Sequence, residues 1–159
     1  DNERTWLEKR KEMKDKNIIK FTVLGSPKAL KRHRTFRRGN FVGSYDPSLN
    51  DKADFLAKCR ENAPKEPWDE PIKLTVDFYF DRPKVHFNSR GQVKDSASRV
   101  HTSRPDIDNC IKLIMDALNK IYWHDDSQIC ILHAYKRYNI KPRIDIEIEK
   151  LDKFGKEVK

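Results

Sequence analysis

The chain has 159 residues, enough for one domain with a real hydrophobic core and too few for two comfortable ones. Apolar residues make up 36% and charged residues 37%, and 34 Lys and Arg against 25 Asp and Glu leave a formal charge of +9. No apolar run approaches the ~20 residues that span a bilayer, and the positive balance favours an anionic polymer as partner, because each phosphate neutralised by Lys or Arg releases a counterion. Cys59, Cys110 and Cys130 lie far apart with no C-x-x-C pair, which argues against structural zinc and a disulfide framework and suits a reducing cytoplasm.

Residues 1–16 are charged almost throughout and read as a helical extension with a thin apolar stripe of Trp6, Leu7 and Met13, not as a signal peptide. Ile19, Phe21 and Val23 alternate with Lys20 and Thr22, the mark of a half-buried strand, and Gly25-Ser26-Pro27 ends it. Lys28, Lys31, Arg32, Arg34, Arg37 and Arg38 then crowd one short stretch. Arg38-Gly39-Asn40 reads as a turn with Phe36 before it and Phe41 after, so a basic β-hairpin is expected. Asn50 to Ala63 predicts a helix, with Asn50 as N-cap and Phe55, Leu56 and Cys59 facing inward.

Ile72, Leu74, Val76, Phe78 and Phe80 alternate with more polar residues and make the clearest strand. Arg82 to Arg104 has no periodicity. Its six Lys or Arg against the single acid Asp95 predict a mobile basic loop that contacts DNA, an idle surface insertion being the alternative. Ile111, Ile114, Met115, Leu118 and Ile121 fall at helical spacing. Gln128 to Tyr138 predicts a strand, apolar on both faces over Ile129 to Leu132 and hence central. Ile144, Ile146 and Ile148 alternate with acids in an antiparallel return strand, and the last residues are polar and expected to be loose. The division expected is an extension at 1–16, one globular domain at 17–151 and a polar tail at 152–159.

Chemistry concentrates in Arg104-Pro-Asp-Ile-Asp-Asn-Cys-Ile-Lys-Leu-Ile-Met-Asp-Ala-Leu-Asn, followed by Trp123-His-Asp-Asp-Ser-Gln-Ile. Asp106 and Asp108 are two apart just ahead of the helix, where an extended backbone points both carboxylates to one side. Lys112, four residues on, reaches over the same carboxylates. A hard cation such as Mg²⁺ takes carboxylate oxygens and keeps several waters, and a lysine beside it can hold a phosphate or neutralise charge in the transition state. Blander readings exist for each residue. Asp108 suits the helix N-cap, Asp108 with Lys112 an ordinary helical ion pair of ~0.2–0.5 kcal/mol, and Asp125-Asp126 a turn. They leave unexplained why acids gather beside a loop built to attract phosphate.

The order Asp-x-Asp-Asn-x-x-Lys-x-x-x-Asp-Ala-Leu-Asn, then Trp-x-Asp-Asp-x-Gln-Ile, resembles the RusA family of Holliday-junction resolvases, strongly over Pro105 to Ile129 and weakly elsewhere. The resemblance implies a metal-dependent endonuclease that leaves a 5′-phosphate and cuts branched DNA symmetrically as a homodimer. By position it implies Asp106, Asp108 and Asp126 as ligands of Mg²⁺ (or Mn²⁺) and Lys112 as the essential lysine. Asp116 and Asp125 match further acidic positions and are expected to support the ligands, because Asp116 stands about 12 Å along the helix from Asp108. Lys28, Lys31, Arg32, Arg34, Arg37, Arg38, Arg99 and Arg104 are the expected DNA contacts. The extension and the long basic loop depart from the shortest members of the family.

A straight helix over 108–121 is roughly 20 Å long, so Asp126 starts at the end far from Asp106 and Asp108. Five extended residues reach back roughly 16 Å, or Asp126 meets the first pair of a second subunit across a two-fold axis. Both arrangements stay open at this point. The fold expected is α+β, a mixed and mostly antiparallel sheet with two core helices and a basic hairpin. A binding module without catalysis, and a nuclease for flaps or simple duplexes, are the rival readings.

Overall fold

Alternation of apolar residues builds the centre of the molecule. The computed structural model describes residues 17–158, and the helical extension expected at 1–16 lies outside them. Strand β1 spans Ile18–Leu24, and strands β2 (Arg34–Arg38) and β3 (Phe41–Tyr45) form a separate antiparallel ribbon. Helix α1 (Leu49–Cys59) leads to β4 (Ile72–Asp81), helix α2 (Ile107–Leu118), β5 (Ile129–Asn139) and β6 (Arg143–Lys150). The fold is a single α+β domain, with a four-stranded sheet in the order β1-β6-β4-β5. β6 pairs antiparallel with both β1 and β4, whereas β5 runs parallel to β4. A parallel neighbour needs a long crossover, and here it is the basic loop followed by α2.

The sheet has one dry face. Ile72, Leu74, Val76 and Phe78 of β4 and Ile144, Ile146 and Ile148 of β6 join one core with the α2 residues Cys110, Ile111, Leu113, Ile114 and Leu118. Phe55 and Cys59 of α1 close it, and the Tyr122 hydroxyl donates to the Cys59 carbonyl at 2.5 Å. Each such aliphatic or aromatic side chain contributes about 1.5–3 kcal/mol by leaving water. On the opposite face the alternate positions carry ion pairs, among them Lys20–Glu147 at 3.1 Å and Arg137–Asp77 at 3.1 Å.

Four expectations need correction. β5 is an edge strand and not central, and Leu132 is 44% exposed, because its apolar run meets only β4 on one side. The helix expected from Asn50 starts at Leu49 after Ser48, whose buried hydroxyl accepts the Lys31 N–H at 2.7 Å instead of capping. The stretch Arg82 to Arg104 is not a structureless loop but is hydrogen-bonded to the body. Tyr138 N–H donates to the Arg99 carbonyl at 2.9 Å and His101 N–H to the Lys136 carbonyl at 3.0 Å, which covers the free edge of β5 there. The tail is not loose either, since Asp152 accepts from the N–H groups of Phe154 and Lys156 and Leu151 bridges to Glu157.

Candidate active site

The site begins where the crossover becomes a helix. Asp106 occupies the N-cap position of α2 with extended backbone, φ −72° and ψ 146°, and its side chain makes no capping hydrogen bond. The cap is thus Asp106 and not Asp108. Asp108 lies in the first turn and, among the described residues, accepts only from the adjoining Asn109 N–H at 2.9 Å. Both carboxylates are exposed, and unsatisfied helix N–H groups beside them favour negative charge.

Lys112 is exposed one turn later, and its ammonium forms no ion pair among the described residues, so the blander alternative of an Asp108–Lys112 helical bridge is not formed. Asp116 continues the same exposed row at four-residue spacing. It stands 3.9 Å from Lys52 of α1, which also pairs with Asp46 at the foot of the ribbon.

Asp126 belongs to the far end of this row. Its Oδ1 accepts from the Trp123 indole N–H at 2.8 Å. Burial raises its pKa above the ordinary carboxylate value, the indole bond opposes that, and the Asp116 and Asp125 charges add to it. Asp125 caps the short turn Asp126–Gln128, accepting from Ser127 N–H, while the Gln128 side chain accepts from the Asp125 N–H. Gln128 Nε2 donates to the Trp68 and Glu70 carbonyls at 2.7 and 3.1 Å. Among the described residues no three acidic, His or Cys side chains gather as a metal cage. Two carboxylates with free oxygens still fit Mg²⁺, which is commonly held by one or two carboxylates, waters and substrate phosphate.

The basic segment is fastened to this helix start. Leu30 N–H donates to the Asn109 carbonyl at 2.9 Å, so Lys31, Arg32 and the ribbon residues Arg34, Arg37 and Arg38 leave from beside the carboxylates. Lys28 is held at 2.8 Å by Asp51, which also lies 3.5 Å from Lys31. Arg104 is exposed immediately before a cis peptide to Pro105, and Arg99 is exposed on the strip that covers β5.

Two groups escaped the sequence reading. Lys136 Nζ donates to the Ser103 carbonyl at 2.6 Å and so fixes the approach to Asp106. His101 stacks on Phe80 at 3.9 Å between centroids, and burial, then Lys136, lower its pKa. Neither carries a local signal, since each depends on a contact more than twenty residues away in the chain.

An exposed carboxylate pair at a helix start and, among the described residues, an unpaired lysine one turn on thus lie beside a tethered run of cations. The chain belongs to the RusA family: the family described as Endodeoxyribonuclease RusA matches residues 25–149. It is 31% identical over 139 residues to the uncharacterized protein YqaN of Bacillus subtilis (strain 168), covering 85% of this chain and 98% of that one. It is also 36% identical over 107 residues to the crossover junction endodeoxyribonuclease rusA of Lactococcus phage r1t, covering 65% of this chain and 75% of the phage protein. Among the described residues no helix is long and apolar enough to cross a membrane.

Proposed function

We propose that this chain is a metal-dependent endonuclease that resolves four-way DNA junctions in recombination and repair, cutting two strands symmetrically as a homodimer. The observation that carries the reading is the uncapped pair Asp106 and Asp108 with unpaired Lys112 one turn on, beside the tethered basic segment. The family and the name of the phage relative supply the substrate class. Three free cysteines suit work in a reducing cytoplasm.

Asp106 and Asp108 would hold Mg²⁺ or Mn²⁺, with Asp126 as third ligand. The ion supplies charge to the phosphate oxygens and makes water a stronger nucleophile near neutral pH. Lys112 places its ammonium at the scissile phosphate and offsets the negative charge that develops there. Lys31, Arg32, Arg34, Arg37 and Arg38, with Arg99 and Arg104, grip the backbone, fixing position without reading sequence. Asp125 caps the turn that carries Asp126, and Asp116 adds negative charge near it.

Asp126 completes the site either within one chain or across a two-fold axis. Mixing Asp106→Asn with Asp126→Asn subunits tests this. Heterodimers regain cleavage if the ligands come from different subunits and stay inactive if each site is complete within one.

The test of the function is cleavage of a synthetic four-way junction with and without Mg²⁺, wild type beside Asp106→Asn. Paired symmetric nicks by wild type alone, only with metal, are expected. Binding without cutting, with Mn²⁺ as well, would leave a DNA-binding module. Faster cutting of flaps than of junctions in competition would reassign the substrate.

A further inference from the structure

The ribbon β2–β3 carries an exposed aromatic face that neither the core nor the catalytic chemistry uses. Pairing of Arg34 with Tyr45, Phe36 with Gly43 and Arg38 with Phe41 puts these six residues on one side. The Phe36 ring centroid is 6.2 Å from Phe41 and 6.4 Å from Tyr45. Gly43 is small for a reason: a Cβ there would stand 2.6 Å from the Phe36 ring and 3.0 Å from that of Phe41. The rings therefore lean together over bare backbone as one platform.

Cross-strand packing explains part of this, since aromatic pairs stabilise a ribbon by roughly 0.2–1 kcal/mol. It does not explain the outward surface. Phe36, Phe41 and Tyr45 are 43%, 63% and 47% exposed, on a two-stranded sheet separate from the main one. Both roots of the ribbon are tied to the α2 row, at Asn109 through Leu30 and at Asp116 through Lys52 and Asp46. The ribbon is thus rooted beside the helix that carries Asp106, Asp108 and Asp116.

We propose that this face stacks against DNA bases laid bare where base stacking is interrupted at a branch point, which rests on the branched-DNA reading above. Flat π-faces match the faces of bases, and intact duplex hides those faces in its stack. Arg34 and Arg38 flank the rings on the same side, where they meet the phosphates of the same nucleotides, the combination used for unpaired nucleic acid. A second copy of the face is a poorer occupant, because it would set Arg34 and Arg38 against their own like charges.

The experiment uses full-length protein carrying Asp106→Asn, so that substrate survives, with a four-way junction and a linear duplex of the same sequence. Two variants are added: Phe36→Ala with Phe41→Ala and Tyr45→Ala, and the same three positions changed to Leu. The leucines keep apolar packing across the ribbon and remove the flat faces. Both variants should lose roughly 10- to 100-fold in junction affinity, from the cost of removing one or two base–aromatic stacks. Duplex affinity and its salt dependence should stay near wild type, since every cation remains. 2-Aminopurine at the branch point should change fluorescence on binding wild type and not on binding the leucine variant.

Retained junction preference in the leucine variant, or equal loss on both DNAs, overturns the proposal. So does conversion of either variant from dimer to monomer in sedimentation, which would make the face a subunit contact. If wild type itself does not prefer the junction, the branched-DNA reading fails first and visibly, apart from the stacking claim.

Discussion

Asp126 is held by two opposing influences, an indole hydrogen bond that favours its charge and burial near two other carboxylates that disfavours it. Burial wins, so its native pKa lies above the unfolded value. The native state therefore binds the proton more tightly. That contribution to stability is fully present below the unfolded pKa and is lost as pH rises through the native one. Metal-free Asp126→Asn is expected to melt above wild type at neutral pH, with the gap closing on acidification, while cleavage falls by about 10²-fold or more. The difference curve is the measurement needed, because Asp46 and Asp51 have lowered pKa values and act with the opposite sign. Lys112→Met is expected to lower turnover on the junction by a similar factor and leave binding largely intact. A parallel loss of binding would make Lys112 one more backbone contact.

At the scale of elements, Gln128 does more than close a motif. Its side chain serves the Asp125 N–H and two carbonyls that precede β4. Gln128→Ala strands part-buried polar groups, at about 1–3 kcal/mol each at most, and frees the turn that carries Asp126. Thermal unfolding should shift down and activity fall with it, whereas Gln128→Glu should recover only the acceptor half. The helices, β1, β4 and β6 were legible because each alternates or repeats against one dry face. The position of β5 was not. Ile129 to Leu132 read as doubly buried, yet strand pairing is decided by neighbours that no local pattern names. The cap of α2 was ambiguous for a simpler reason, since Asp106 and Asp108 are the same residue type two positions apart.

For the whole molecule, the charge of +9 was the first sign of a phosphate partner, and the structure shows which cations remain available. Lys28 is occupied by Asp51, whereas Arg34, Arg37 and Arg38 ride on an exposed ribbon. Removing those three arginines together should flatten the salt dependence of DNA binding by roughly 0.9 for each phosphate no longer neutralised, up to about 3 in slope. Lys28→Ala should barely move it. The candidate ligands were legible as residues from the motif. Their grouping was not, because the sequence places Asp126 after a helix without saying to which end of it, or of whose helix, the chain returns.

The stapled crossover has one more consequence. Arg82 reaches the Ser98 carbonyl at 2.8 Å, so the long basic stretch leaves and re-enters the body at neighbouring points. The ties at Arg99, His101 and Ser103 all come after that closure and before Asp106. The stretch between is closed at its base and meets the body through His86, whose ring lies 4.8 Å from that of Tyr138, upstream of the ties that precede Asp106. A change of length between Arg82 and Ser98 is therefore expected to leave the ties at Arg99, His101 and Ser103, and with them the start of α2, in place.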